Sequence, residues 1–277
     1  MKYVILEYGV AEGTSNPTGE VVDSNIEKIS KDHMDKMVKV LRKWLDTRIE
    51  IVSLPYKHAE SWLRDNWQDV LVMSASVGDL FNSGFLRQYK GKIYQCCSSS
   101  NEGPGTIGGL AEKGYFNAIG AVDADMNLLD YSSYKDDHVD YVGIADEYYD
   151  GVMLRGTTFS NKQHGANVAN MQLDYYLKEK RRMTIEEVEY NLRHYVVYLG
   201  NDGGVKDKET GYGYFEYKGE YMTIPKDLHT APTWAQDSLQ RMVNDGVLQG
   251  DENGNIHPNE PLTLARYAVL RDRDLGK

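Results

Sequence analysis

The run Met34-Asp-Lys-Met-Val-Lys-Val-Leu-Arg-Lys-Trp-Leu45, followed after three residues by Ile49-Glu-Ile-Val-Ser-Leu54, decides the fold class. In the first segment Met34, Met37, Val38, Leu41, Trp44 and Leu45 recur at three- and four-residue spacing, the period of a helix with one buried face, and Ser30 or Asp32 stands where an N-cap is needed. The second segment is a short apolar run rich in β-branched residues, which reads as a strand. Working outward, Tyr3-Val-Ile-Leu6 is a strand ahead of that helix. A helical stretch at 58–67 precedes the strands Val70-Leu-Val-Met73 and Ile93-Tyr-Gln-Cys-Cys97. Further strands fall at Asn117–Val122, Val139–Ile144 and Val152–Leu154. A helix follows with Val168, Met171, Leu173 and Tyr176 or Leu177 as its apolar stripe, and Thr184 with Glu187 forms a capping box for the next. Strands alternating with helices predict an α/β fold: a three-layer, doubly wound, mainly parallel sheet with a small C-terminal helical module.

The chain has 277 residues, with 31 Lys+Arg against 42 Asp+Glu and a net charge of −11. That balance argues against nucleic acid as a partner, because phosphate neutralisation needs clustered cations. The one dense basic run, Lys178-Glu-Lys-Arg-Arg182, reads as a solvated helix end. No window approaches the apolar length of a membrane span, so no membrane partner is expected, and Met1–Glu7 has too short an apolar core for a secretory signal. A cytoplasmic protein is expected, or a virion-associated one if the source is a phage. Cys96 and Cys97 are adjacent, so they close no useful loop and build no thiolate cage; they read as buried strand residues. No metal and no cofactor are expected. Asp251, Asn253 and Asn255 resemble a calcium loop only superficially, since Leu262 stands where the twelfth, acidic ligand belongs.

Three segments carry residue types suited to chemistry. Gly156-Thr-Thr-Phe159 ends a strand and opens a helix, where a hydroxyl lies in positive potential and a nearby oxyanion is stabilised; Ser and Thr are equally the preferred N-caps. Ser98-Ser-Ser-Asn-Glu-Gly-Pro-Gly105 follows a strand at the edge where parallel sheets bind ligands, and the Asn101 amide can donate to developing negative charge, although Asn, Gly and Pro also make ordinary turns. His33 opens the Met34–Leu45 helix and Glu7 ends the first strand. A carboxylate beside an imidazole fixes its tautomer and supports the imidazolium, as general-base catalysis requires.

In that order the segments resemble the subtilisin-like serine peptidases. The resemblance is densest from Ser98 to Phe215. Ser-Asn101-Glu-Gly-Pro-Gly is similar to the family's oxyanion-asparagine loop, Ala118-Ile-Gly-Ala-Val-Asp123 to its next strand, and Tyr131-Ser-Ser-Tyr134 to its FSS turn. Gly156-Thr-Thr-Phe is similar to the nucleophile motif and Gly211-Tyr-Gly-Tyr-Phe215 to the closing GYG segment. Val4-Ile-Leu-Glu-Tyr-Gly9 resembles the strand of the catalytic aspartate, and Asp32-His33 the start of the catalytic-histidine helix. The resemblance implies peptide-bond hydrolysis with Thr158 as nucleophile, His33 as general base, Glu7 orienting it and Asn101 donating to the oxyanion, on a polypeptide substrate or ligand. Glu replaces Asp, Thr replaces Ser, and the HGTHVAG segment is missing. Two readings stay open: a slow or specialised peptidase, and a pseudopeptidase that keeps the groove as a binding surface.

The Gly200-Asn-Asp-Gly-Gly204 stretch interrupts the pattern, and Pro225 and Pro232 mark a composition shift. The expected organisation is a subtilisin-like domain over 1–220, a linker over 221–230 and a helix-loop-helix over 231–277. Trp234, Leu239, Met242 and Val243 form one face of its first helix, Gly246 stops it, and Thr263 caps the second. The order Trp-Ala, Gly-Val-Leu-x-Gly, Asn-Gly, Pro-Asn and Leu-Thr with Arg266 resembles one S-layer-homology repeat, which implies cell-wall polysaccharide as a partner, with self-association through 231–277 as the alternative. The combination points to a bacterium or its phage.

Overall fold

A computed structural model describes residues 1–7, 14–15, 24–76, 83–149, 152–200, 206–251 and 253–274, the side chains at 24–32, 147–149 and 152 excepted. The expected positions Tyr8, Gly9 and 201–204, and the side chains of Ser30 and Asp32, lie outside the described residues.

Six strands form a parallel sheet: β1 (Lys2–Glu7), β2 (Glu50–Pro55), β3 (Val70–Ala75), β4 (Tyr94–Ser98), β5 (Asn117–Val122) and β6 (Val139–Ile144), in the spatial order β2-β1-β3-β4-β5-β6. The chain winds from β1 outward to β2, then crosses back to β3 on the other side, so the winding reverses between β1 and β3. Crevices at the carboxyl ends of strands where the order reverses are where open α/β sheets bind ligands.

Helices cover both faces, as the alternation predicts. On one face Val4, Leu6, Val52, Leu54 and Met73 pack with Ala59 and Leu63 of α2 (Ala59–Asn66), and full burial of each large aliphatic side chain contributes about 1.5–3 kcal/mol. The other face carries α1 (Ser24–Trp44) and α3 (Thr157–Glu179), which pack on each other. α1 starts ahead of Ser30 and Asp32, so neither is its cap: the apolar period visible from Met34 marks only the helix's later turns.

α3 is buried along most of its length although Asn161, Lys162, Gln163, His164 and Asn167 follow one another closely. Its polar groups bind the sheet instead of water: Asn161 Nδ2 donates to the Ala75 carbonyl at 2.9 Å, Gln163 Nε2 to Tyr214 Oη at 2.9 Å and Gln172 Nε2 to the Leu71 carbonyl at 3.0 Å. Asn170 closes the end of α1, donating to the Trp44 carbonyl and accepting from Asp46 N, both at 2.8 Å. Close approach to β6 depends on Gly143, where an added Cβ would stand 2.3 Å from the Ser160 carbonyl oxygen.

α4 (Ile185–Tyr195) carries the expected capping box, with Glu187 N donating to Thr184 Oγ1 and Thr184 N to Glu187 Oε2. The basic run before it is not a solvated end. Arg182 is half-buried and donates to the carbonyls of Trp67, Gln68, Val70 and Lys92, and Arg181 forks onto Glu187. Val152–Leu154 (β8) stands apart from the main sheet, antiparallel to β7 (Glu147–Tyr149).

The described residues divide into two compact units, Met1–Glu220 and Tyr221–Lys277. The second holds α5 (Thr233–Asn244) and α6 (Leu264–Asp274). Thr263 Oγ1 accepts from Arg266 N, as expected of a cap, whereas Trp234 is 85% exposed and not part of a buried face. Asp251 closes its loop as a turn, its Oδ1 accepting from Asn253 N and Asn255 N. No described helix is long and apolar enough to cross a membrane.

Candidate functional site

The carboxyl edge of the sheet brings the candidate residues to one region. Glu7 is the last residue of β1 and is buried. On β1, Val4 and Leu6 face α2, while Tyr3 meets α3 at Gly165, so by strand alternation Glu7 faces α3. The pairs Leu6–Ala75 and Ala75–Cys97 fix the register of β1, β3 and β4. One step further along, Glu7, Ser76 and Ser98 continue as a row on the α3 side, and Ser98 Oγ donates to Ser76 Oγ at 3.1 Å.

Thr158 lies in the first turn of α3 and is 8% exposed. His33 is within α1 and not at its start; its exposed ring packs edge-on against Phe159, with ring centroids 5.7 Å apart, so the α1–α3 contact carries the imidazole to the residue beside Thr158.

Asn101 comes from the loop after β4 and bonds to Thr157, the neighbour of Thr158. Its Oδ1 accepts from Thr157 N at 2.8 Å and from Thr157 Oγ1 at 3.0 Å. α3 needs this help, because its first N–H groups have no intrahelical acceptor and its own cap residue, Gly156, has no side chain. Gly156 sits at φ +135°, and a Cβ there would lie 3.4 Å from Asn101 Nδ2. The cap is therefore supplied from 56 residues away. The carboxamide oxygen is used on the helix, and Nδ2 is the amide's remaining polar atom.

The segment Tyr131–Tyr134 braces this loop. Ser133 Oγ accepts from Glu102 N at 2.9 Å, Ser133 N donates to the Ser100 carbonyl at 3.1 Å, and Ser100 is held at φ +107°, a strained value for a residue with a side chain. Tyr131 Oη accepts from Gly156 N at 3.1 Å and donates to Asp146 at 2.6 Å. Burial and the Asp146 carboxylate hold the phenol above its ordinary range.

One buried ionisable group escaped the sequence reading. Lys162 is 0% exposed, one helical turn beyond Thr158, and its Nζ donates to Ser74 Oγ at 2.9 Å and to Ser76 Oγ at 3.0 Å. Burial pushes the ammonium below the ordinary lysine range, opposed by the negative charge of Glu7. The available signal was a lysine four residues after Thr158 on a helix of small and amide residues. Cys96 and Cys97 are buried thiols as expected, the former pushed up to about 12 by burial.

Comparisons with known proteins agree with this architecture. The S-layer homology domain family matches residues 226–265. A lanthipeptide protease is similar in structure with a TM-score of 0.61 at 13% identity, over 79% of this chain and 85% of its own. The prenylagaramide maturation protease PagA is similar with a TM-score of 0.53 at 14% identity, over 77% of this chain and 90% of its own. No curated protein matches the sequence significantly. At such identities the likeness is one of fold, a parallel α/β sheet covered by helices, on a chain that also carries a segment matched by the S-layer homology family. That segment indicates a cell-surface or S-layer-associated protein, which corrects the cytoplasmic or virion placement expected above.

Proposed function

We propose that the protein acts on polypeptide at the carboxyl edge of its sheet, as a divergent subtilisin-like peptidase held at the cell surface by its C-terminal unit. Thr158 Oγ1 attacks the scissile carbonyl, His33 takes the proton, Glu7 orients the imidazole, and Asn101 Nδ2 donates to the oxyanion. The observation carrying this reading is the anchoring of Asn101 through its oxygen, which supports its amide N–H₂ as the oxyanion donor; a preorganised donor aimed at developing charge is the largest single contribution in such chemistry. The test is turnover of a fluorogenic peptide library by the full chain. Asn101→Ala lowers kcat by about 10²–10³, the usual cost of one oxyanion donor, and Thr158→Ala lowers it at least as far. Peptide cleavage unchanged in Thr158→Ala rejects the assignment.

A second reading rests on the nucleophile itself. Thr158 is nearly buried and branched at Cβ, which restricts its rotamer and crowds the attack path. On that reading extended peptides bind in the groove without turnover. In either case residues 231–277 bind cell-wall polysaccharide, and deleting them abolishes retention on purified walls; a change in oligomer size without loss of retention favours self-association.

A further inference from the structure

The carboxyl end of β3 carries a second hydroxyl, less buried than that of Thr158. Ser76 immediately follows β3, is half-buried where Thr158 is nearly closed off, and has no methyl on its Cβ. Its Oγ lies 3.0 Å from Lys162 Nζ, within the reach required of a base and its nucleophile. Ser74 Oγ, at 2.9 Å, fixes the amine from the other side, so the lysine is oriented by a third group as a base must be.

A wholly buried lysine bonded to two hydroxyls is costly to keep charged, and desolvation favours the neutral amine, the form able to accept a proton. The titratable groups facing it are Glu7 from β1 and Cys96 and Cys97 from β4; the negative charge of Glu7 opposes that loss, while burial raises both thiols and keeps them protonated and uncharged.

We propose that Ser76 and Lys162 form a serine–lysine acyl-transfer dyad, in the same groove but distinct from Thr158. Lys162 Nζ takes the hydroxyl proton as Ser76 Oγ bonds to the acyl carbon. The carbon–leaving-group bond breaks, and the proton passes from Lys162 to the leaving amine. Water, deprotonated by Lys162 Nζ, then bonds to the acyl carbon; the bond to Ser76 Oγ breaks, the free acid leaves, and the proton passes from Lys162 back to Ser76 Oγ. The inference rests on the groove being an acyl-transfer site; it does not require Thr158 to react.

The experiment is labelling of the full-length protein with an alkyl fluorophosphonate, which forms an Oγ–P bond with loss of fluoride, followed by peptide mapping of the adduct by mass spectrometry. The expected adduct is on Ser76, forming faster as pH rises toward the lysine range and absent in Ser76→Ala. Lys162→Arg keeps the charge and the donors but removes the base, and slows labelling by about 10²–10⁴, the usual contribution of a general base. Lys162→Met is expected to do the same, and thermal melts of both variants establish that they are folded. An adduct on Thr158 overturns the dyad while supporting the Thr158 reading. No adduct at all, or Ser76 labelling unchanged in folded Lys162→Arg, also overturns it. Because labelling reports the nucleophile alone, failure of the peptide-turnover assay leaves this result readable.

Discussion

Asn101 is expected to serve α3 with its oxygen and a ligand with its nitrogen, and two substitutions separate those roles. In Asn101→Ala the N–H and hydroxyl of Thr157 both lose their acceptor, and Thr157 is wholly buried. An unsatisfied buried donor costs about 1–3 kcal/mol; the hydroxyl can turn to another acceptor and the backbone N–H cannot, so the total is that of one donor, about 1–3 kcal/mol. For a domain of this size each kcal/mol moves Tm by about 2–4 °C, so the expected drop is about 2–12 °C. Asn101→Asp keeps the acceptor and places a carboxylate at the positive end of a helix, an arrangement that contributes about 0.3–1 kcal/mol. Its Tm is therefore expected at or above that of the parent, while its peptide turnover falls by about 10²–10³ as in the alanine variant. Calorimetry of the three proteins at one pH and salt, with peptide turnover measured in parallel, checks both halves. Equal melting of Asn101→Ala and the parent, or an Asp variant as unstable as the Ala variant, refutes the cap assignment.

Gly143→Ala is expected to push α3 from β6, because its Cβ would lie 2.3 Å from the Ser160 carbonyl oxygen; overpacking of this kind costs about 1–3 kcal/mol, read by urea denaturation, and a neutral result contradicts the packing. In the second unit His257 lies 2.9 Å from Asp251 and 3.2 Å from Glu260, and the Asp251 hydrogen bond, with the Glu260 and Asp227 carboxylates, raises it above 6.5. A raised folded pKa stabilises fully below the unfolded value, so this contribution is present below pH 6.5 and fades as pH rises through the raised value. An NMR titration of His257 in the full chain is expected to show that elevation, and Asp251→Asn to reduce it. Replacing Arg182 by Met leaves the carbonyls of Trp67, Gln68, Val70 and Lys92 without their shared donor, and amide exchange near Val70 is expected to accelerate.

What could be read in advance followed the chemistry of each element. Parallel strands buried on both faces are continuous apolar runs, so β1 to β6 stood out; Thr184 with Glu187 is a local cap whose partners are three residues apart. α3 was legible only in its apolar stripe, because Asn161, Lys162, Gln163 and Gln172 look like solvent-facing residues until their partners on β3 and beyond are known. Arg182 misled for the same reason: a cation beside other cations gives no sign of the four carbonyls it grips. The ribbon of β7 and β8 was half-visible, since three residues suffice for a strand but do not say which strand they pair with.

Composition, strand–helix alternation and motif order determined by themselves that this is a doubly wound α/β chain with a helical appendage, and put Glu7, His33, Asn101 and Thr158 forward as candidates. These are local or periodic properties, written within a few turns of chain. Only the tertiary structure decided that Asn101 caps a helix 56 residues away, that His33 meets Phe159, and that Lys162 rests between Ser74 and Ser76. Those contacts depend on sheet register and helix docking, which set distances between residues remote in sequence and leave no trace in local spacing.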